Sequence, residues 1–152
     1  MTKRAIFIVL AMAAMGVSLL RAQSNEVLDA VLAETSLSYG DAAYLVGTAS
    51  GHLPESTAPT DAGAALEQAG LGIPGLASTA PVTLGDLSYM LMRAFGMHGG
   101  IMYAVLPGPR YATRELAYRG VITGPAMPGM SLSGERALRI IEQVIHLKGA
   151  AR

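Results

Sequence analysis

Apolar residues recur at helical spacing in three places, each behind a polar start signal that contains a Gly-acid pair. The segments are SLSYGDAAYLV (36–46), PVTLGDLSYML (81–91) and GMSLSGERALRII (129–141). Their Gly-acid pairs, Gly40-Asp41, Gly85-Asp86 and Gly134-Glu135, stand 45 and 49 residues apart, a loose period. Ser38 and Thr83 are N-cap candidates. Asp41 and Asp86, three residues on, complete a short-chain capping box and place an acid in the first turn, where the helix dipole favours it. In the third segment the frame slips: Ser131 or Ser133 is the cap and Glu135 supplies the charge. Apolar stripes follow, Leu84, Leu87, Leu91, Ala94 and Phe95 in one helix and Ala137, Leu138, Ile141, Val144 and Ile145 in another. Met90, Met92 and Met97 read as flexible core filler rather than as a metal-binding set.

Two of these segments share an upstream partner. ALEQAGLGIPGL (65–76) and ELAYRGVITGPAMPGM (115–130) each read as a helix end, a glycine stop, a short apolar step and a Pro-Gly turn. Gly70 and Gly120 suit the left-handed position that terminates a helix. SNEVLDAVLAET (24–35) is an apolar helix without such a stop, running almost directly into the first start signal. The pattern predicts an all-α fold of helix-loop-helix repeats: one partial (24–50) and two full (61–97 and 109–147). Such units stack around a common core, because a single one cannot bury its apolar face. Between them, SGHLPESTAPTD (50–61) is a polar loop. The other connection is less ordinary: Ile101 to Leu106 are all apolar, between Gly-Gly and Pro-Gly-Pro. A buried strand or a buried helical turn is the expectation, with an exposed contact patch as the alternative.

One apolar run has no polar face. Ala5 to Leu20 are sixteen residues without a charge, behind Lys3 and Arg4. A membrane-spanning helix needs about 20 apolar residues, so residues 1–22 read as a secretory signal peptide cleaved after Ala22. Leu20 and Arg21 depart from the small-x-small cleavage pattern and keep a retained N-terminal anchor open. The chain has no cysteine, hence no disulfide and no thiol to lipidate. Export without disulfides points to a bacterial periplasm or cell envelope. Residues 23–152 then form a single domain with no membrane span of its own.

The formal charge of zero conceals a segregation. Residues 23–86 hold eight acidic side chains and no Lys or Arg, whereas residues 87–152 hold eight basic and three acidic ones. Either the halves pack so that their fields cancel, or the basic half meets an anionic polymer or an acidic partner, or molecules associate head to tail. No nucleic-acid partner is implied. Catalytic groups are not assembled: His52, His98 and His146 are far apart in sequence with no ligand-spaced partner, and no glycine-rich phosphate cradle is present. The expectation is no enzyme, no cofactor and no metal. The best candidate binding surface is PRYATRELAYRG (109–120), where Arg110 and Arg114 share a helix face beside Tyr111 and Tyr118, with Arg119 at the end. Arginine with tyrosine on a rigid helix suits a carboxylate-bearing glycan or a protein. The plain alternative is a solvated face in which Arg114 or Arg119 pairs with Glu115.

RGVITG (119–124) followed by PGMSLSGERALRII (128–141) resembles a unit of the S-layer homology (SLH) family, and the whole pattern resembles a degenerate array of such repeats. In that family the second helix opens with Thr-Arg-Ala-Glu. Its acid falls here on Asp41, Asp86 and Glu135, and its small residue on Gly40, Gly85 and Gly134. Its arginine, which in the family helps hold an anionic wall polysaccharide, is replaced: Tyr39, Leu84 and Ser133 occupy or adjoin its place, and none forms a charge-assisted bond to a carboxylate. The resemblance implies the helical fold and an envelope setting more than polymer binding. The expected function is a non-catalytic, exported structural or scaffold module of the cell envelope acting through protein–protein contacts. The alternative is a module that binds a cell-wall glycan, peptidoglycan or a secondary polymer. The partners would be an envelope protein, a wall polymer or a second copy of the chain.

Overall fold

The computed structural model describes residues 27–150; the leader expected over residues 1–22 lies outside them. The described chain is all-α. Residues 27–33 are helical (α1), followed by α2 (Tyr39–Ala49), α3 (Pro59–Gln68), α4 (Leu84–Ala94), α5 (Ile101–Val105), α6 (Pro109–Tyr118) and α7 (Gly134–Ala150). Among the described residues there is no strand, only two isolated antiparallel bridges, and no helix is long and apolar enough to cross a membrane.

Each start signal caps its helix, but only Thr83 closes the expected box, because the Ser38 N–H donates to Glu34 at 3.2 Å and not to Asp41. Ser38 Oγ accepts from the Asp41 N–H at 3.2 Å. Thr83 makes a full capping box: its Oγ1 accepts from the Asp86 N–H at 3.2 Å, and the Asp86 carboxylate accepts from the Thr83 N–H at 2.9 Å. At α7 the cap is Ser133, whose Oγ accepts from the Arg136 N–H at 3.4 Å. Glu135 is therefore one position too early to close a box, and Arg136 stands where Asp41 and Asp86 stand in the other helices. The glycine stops hold: Gly70 and Gly120 adopt φ of 70° and 73°. The residue after each donates back to the last turn, Leu71 to Leu66 O and Val121 to Leu116 O.

Helices α2, α4 and α7 touch one another at the centre, with α3 packed on α2 and α6 on α4. Helix α1 reaches the start of α7 through Val31, which is 1% exposed. The residues before the three caps, Leu37, Val82 and Leu132, are all buried. They meet in short extended pairings: the Val82 N–H donates to Leu37 O at 3.0 Å, the Leu37 N–H to Leu132 O at 2.7 Å, and Thr83 bridges Ser131. The first helical N–H groups, which no helix can satisfy internally, then find equivalent partners. Tyr39 and Gly40 donate to Ala80 O and Ser78 O, Leu84 and Gly85 to Met130 O and Pro128 O, and Gly134 to Glu34 O.

The glycines of the Gly-acid pairs are explained by space. A Cβ on Gly40 would lie 2.6 Å from Pro59 O, one on Gly85 would lie 3.0 Å from both Pro109 Cβ and Pro128 O, and one on Gly134 would lie 1.8 Å from Val31 O. Each glycine thus lets a backbone segment lie directly against the start of a central helix. Tyr39 is held in the same manner. Its ring lies against Gly63, its hydroxyl against Gly72, and it accepts from the Ile73 N–H at 2.9 Å while donating to Gly63 O at 3.3 Å.

Two expectations about burial change. In α7 the buried stripe is Ala137, Ile140, Ile141 and Val144, while Leu138 is half-buried and Ile145 is 46% exposed. Leu138 and Ile145 line a groove, described below. Burial of Ile101 to Leu106 is not what the chain adopts. The segment is the short helix α5, and its apolar side chains point outward.

Candidate functional site

The expected binding stripe lies on α6, which Pro109 starts and Gly120 ends. Its residues divide into two rows. Glu115 and Arg119 form a local pair, with Arg119 Nε donating to Glu115 Oε1 at 3.0 Å. Arg119 also donates to the His98 carbonyl, and the other Glu115 oxygen accepts from the Gly100 N–H at 2.9 Å. These bonds tie the 98–100 turn onto α6. They hold the Glu115 carboxyl below its ordinary value of 4.5: the Gly100 N–H is the largest cause, burial opposes it, and Arg119 adds to it. Tyr111, one turn earlier in this row, is half-buried. Arg119 is therefore engaged mainly in holding the 98–100 turn on α6.

The second row is Arg110, Arg114 and Tyr118, spaced by four residues along α6 and all exposed, Tyr118 by 90%. Neither arginine makes an ion pair among the described residues. The structure therefore separates the five expected residues. Arg110, Arg114 and Tyr118 present a free basic and aromatic face, while Tyr111 and Arg119 lie behind it.

Beside that face is α5, which packs on α6. Ile101, Met102, Val105 and Leu106 are 82%, 58%, 75% and 62% exposed. Only Tyr103 turns inward, its side chain lying over Gly99, where a Cβ would come within 2.6 Å of the ring. Its hydroxyl is raised above the ordinary value of 10.0, first by burial and then by Tyr89, with Arg93 opposing. Arg93 in turn donates to the Tyr89 hydroxyl at 2.7 Å and lies 5.3 Å from that ring's centroid. The physical reason α5 stays outside is geometric. The six residues between Gly-Gly and Pro-Gly-Pro make a helix of five, little more than one turn, and Tyr103 takes the inward position. Hydropathy alone placed the other four inside; the flanking breakers were the signal that the turn is too short to be packed on both sides.

A second apolar surface was not visible in the sequence. A groove of ≈ 590 Å³ runs between α2 and α7, floored by Leu28, Leu45, Leu138, Ile141 and Ile145. Glu55 and Glu142 stand on its lining, as does Glu135, whose carboxylate accepts from Arg139 at 2.6 Å. No residue of α4, α5 or α6 lines it. The slipped apolar register of α7, which leaves Leu138 half-buried at the edge of the core and Ile145 exposed, is what opens it.

The histidines do not come together as a site. His52 Nε2 lies 3.0 Å from Ala94 O and fastens the 50–58 loop to the end of α4. His98 shares a cavity of ≈ 500 Å³ with Arg119, Leu147 and Lys148, without a carboxylate in its lining. Among the described residues, no group of three His, Asp or Glu side chains is placed to hold a metal ion.

No protein-family model, curated protein or solved structure matches the chain.

Proposed function

We propose that this chain is a non-catalytic structural module of the bacterial cell envelope that works by protein–protein contact, built as a degenerate array of SLH-like repeats. The observation that carries the contact reading is the α5–α6 surface. Four large apolar side chains stand exposed in a single turn, beside Arg110, Arg114 and Tyr118. Soluble surfaces rarely leave such a patch without a partner, and arginine, tyrosine and large apolar groups are the residues that anchor interfaces.

The repeat reading draws its support from the equivalent bonds at the starts of α2, α4 and α7 and from the close-approach glycines Gly40, Gly85 and Gly134. By the same alignment, the position of the family's arginine falls on Tyr39 and Leu84, both buried, and on Ser133, which caps α7. This disfavours the family's way of holding wall polysaccharide. The leader-like residues 1–22 and the absence of cysteine support the exported setting.

Glycan binding is the second reading, and the exposed row Arg110, Arg114 and Tyr118 is what favours it, since guanidinium groups beside an aromatic ring suit a carboxylate-bearing sugar. Co-sedimentation of the 23–152 chain with purified peptidoglycan and with wall polymer separates the two. The protein-contact reading expects no retention of the chain. Salt-sensitive retention that disappears in Arg110→Ala plus Arg114→Ala would replace it with the glycan reading. Cross-linking in intact envelopes completes the test: an adduct formed from α5 or α6 must contain protein.

A further inference from the structure

We infer that the partner of the exposed α5 turn is a second copy of this chain, whose α2–α7 groove receives it head to tail. The inference rests on the protein-contact reading above and gives that surface its occupant.

The two surfaces are complementary in each property that matters for docking. The turn is a convex apolar knob made by Ile101, Met102, Val105 and Leu106. The groove is concave and floored by Leu28, Leu45, Leu138, Ile141 and Ile145. The knob is followed directly by Arg110 and Arg114, which make no ion pair among the described residues. The groove carries Glu55 and Glu142, which likewise make none; Glu135 there is already paired with Arg139. A basic-flanked knob thus faces an acid-lined hole, the arrangement that steers association and fixes its direction.

The contact has to form between molecules. Tyr103 and the bond from the Gly100 N–H to Glu115 hold α5 against α6, and the groove is lined by other elements. Knob and groove are different surfaces, so the contact is heterologous: each molecule offers one of each, and the association continues into open chains unless the rotation closes a ring. The segregated charge of the sequence accounts for part of this: Glu55 belongs to the half that lacks Lys and Arg, whereas Glu142 belongs with Arg110 and Arg114 to the basic half. One knob in one groove lies at the low end of stable interface sizes, which places the dissociation constant at about micromolar or weaker.

Sedimentation velocity on the 23–152 chain, from low micromolar to millimolar concentration, tests this with two surface variants. The knob variant is Ile101→Ser plus Val105→Ser, and the groove variant is Ile145→Glu; all three positions are exposed, and circular dichroism checks that both variants fold. The wild-type chain is expected to form species that grow with concentration and shrink with salt. Each variant alone is expected to weaken self-association at least about tenfold. Mixing the two variants is expected to restore a one-to-one dimer and nothing larger, because only one intact knob and one intact groove then remain. A wild-type chain that stays monomeric throughout overturns the inference. So does association lost in the knob variant but untouched in the groove variant, which would mean that knobs pair with each other. Knob-dependent co-sedimentation of a monomeric chain with anionic phospholipid vesicles would assign the turn to a membrane surface instead. Failure of the wider reading looks different: retention on peptidoglycan through Arg110 and Arg114 removes that reading, whereas a monomer cross-linked to another envelope protein through α5 keeps it and removes only self-docking.

Discussion

Replacing Gly134 by alanine should be the most damaging glycine-to-alanine substitution among the described residues. The added Cβ would lie 1.8 Å from the Val31 carbonyl oxygen and 2.6 Å from its carbon, with Val31 Cγ1 at 2.8 Å. That is more than an ångström inside the closest separation that real Cβ atoms show. The two nearest obstacles are backbone atoms of Val31, so no rotamer change relieves the clash. Helix α1 must move off the start of α7. Two contributions are then lost: burial of Val31, about 1.5–3 kcal/mol for a side chain of this size, and the bond from the Gly134 N–H to Glu34 O, about 1 kcal/mol net. A loss of about 3 kcal/mol is expected, against a total stability of about 5–15 kcal/mol for a domain of this kind. Gly40→Ala, with its Cβ 2.6 Å from Pro59 O, should cost less, and Gly85→Ala, at 3.0 Å, less again. Gly149 supplies the control of opposite sign. It lies in α7 with nothing within 4 Å of an added Cβ, so Gly149→Ala should stabilise by a few tenths to about 1 kcal/mol. Urea unfolding followed by circular dichroism measures all four, and a change in midpoint without a change in slope identifies a stability effect. The packing account fails if Gly134→Ala unfolds within about 0.5 kcal/mol of wild type, a difference typical of neutral surface changes.

Three further outcomes follow from single contacts. Tyr39→Phe removes the hydroxyl that accepts from Ile73 and donates to Gly63; the stranded Ile73 N–H should cost about 1–3 kcal/mol in the same urea assay. Glu34 accepts from the Ser38 N–H at 3.2 Å, yet its carboxyl is raised above 4.5, first by burial and then by Asp41, with the Ser38 bond opposing. The folded state therefore holds this proton more tightly than the unfolded one, and the penalty for ionising it is present above the folded value. Glu34→Gln keeps an acceptor for Ser38 and should raise stability at neutral pH, the advantage closing as pH falls through the folded value towards 4.5. Glu115 has the opposite sign. Its lowered value contributes stability above 4.5 that is lost as pH falls through the folded value, so Glu115→Gln should destabilise at neutral pH and converge on wild type in acid.

The fold was readable where local chemistry decides it. Ser38 and Thr83 as caps, Gly70 and Gly120 as stops, and the stripe of α4 each follow from groups within a few residues. The α7 start was readable only as a choice between Ser131 and Ser133, and the Ser133 bond to Arg136 selects between them. The outward face of α5 was not readable from hydropathy, since an exposed apolar turn and a buried one have the same composition. Nor was the α2–α7 groove, because it depends on which face of α7 the central helices leave uncovered. Of the five residues expected to bind, the row Arg110, Arg114 and Tyr118 stands exposed. Arg119 follows the plainer reading of a local pair with Glu115, which i,i+4 spacing alone already allows.

The pairing of α1 with α7 bears on when the native structure can exist. Helix α1 is made early by the ribosome, and the surface that covers Val31 is made late, after α2 to α6. A chain still lacking α7 therefore has no seat for α1 and leaves the Leu37 N–H without its Leu132 partner. Loop-closure cost of this long-range kind is met only at the end, so the α1 seat and the Leu37–Leu132 pairing are completed late, after α3 can pack on α2 and α6 on α4. A nascent or C-terminally truncated chain should be sensitive to protease along α1 and α2 until Leu132 to Val144 has emerged.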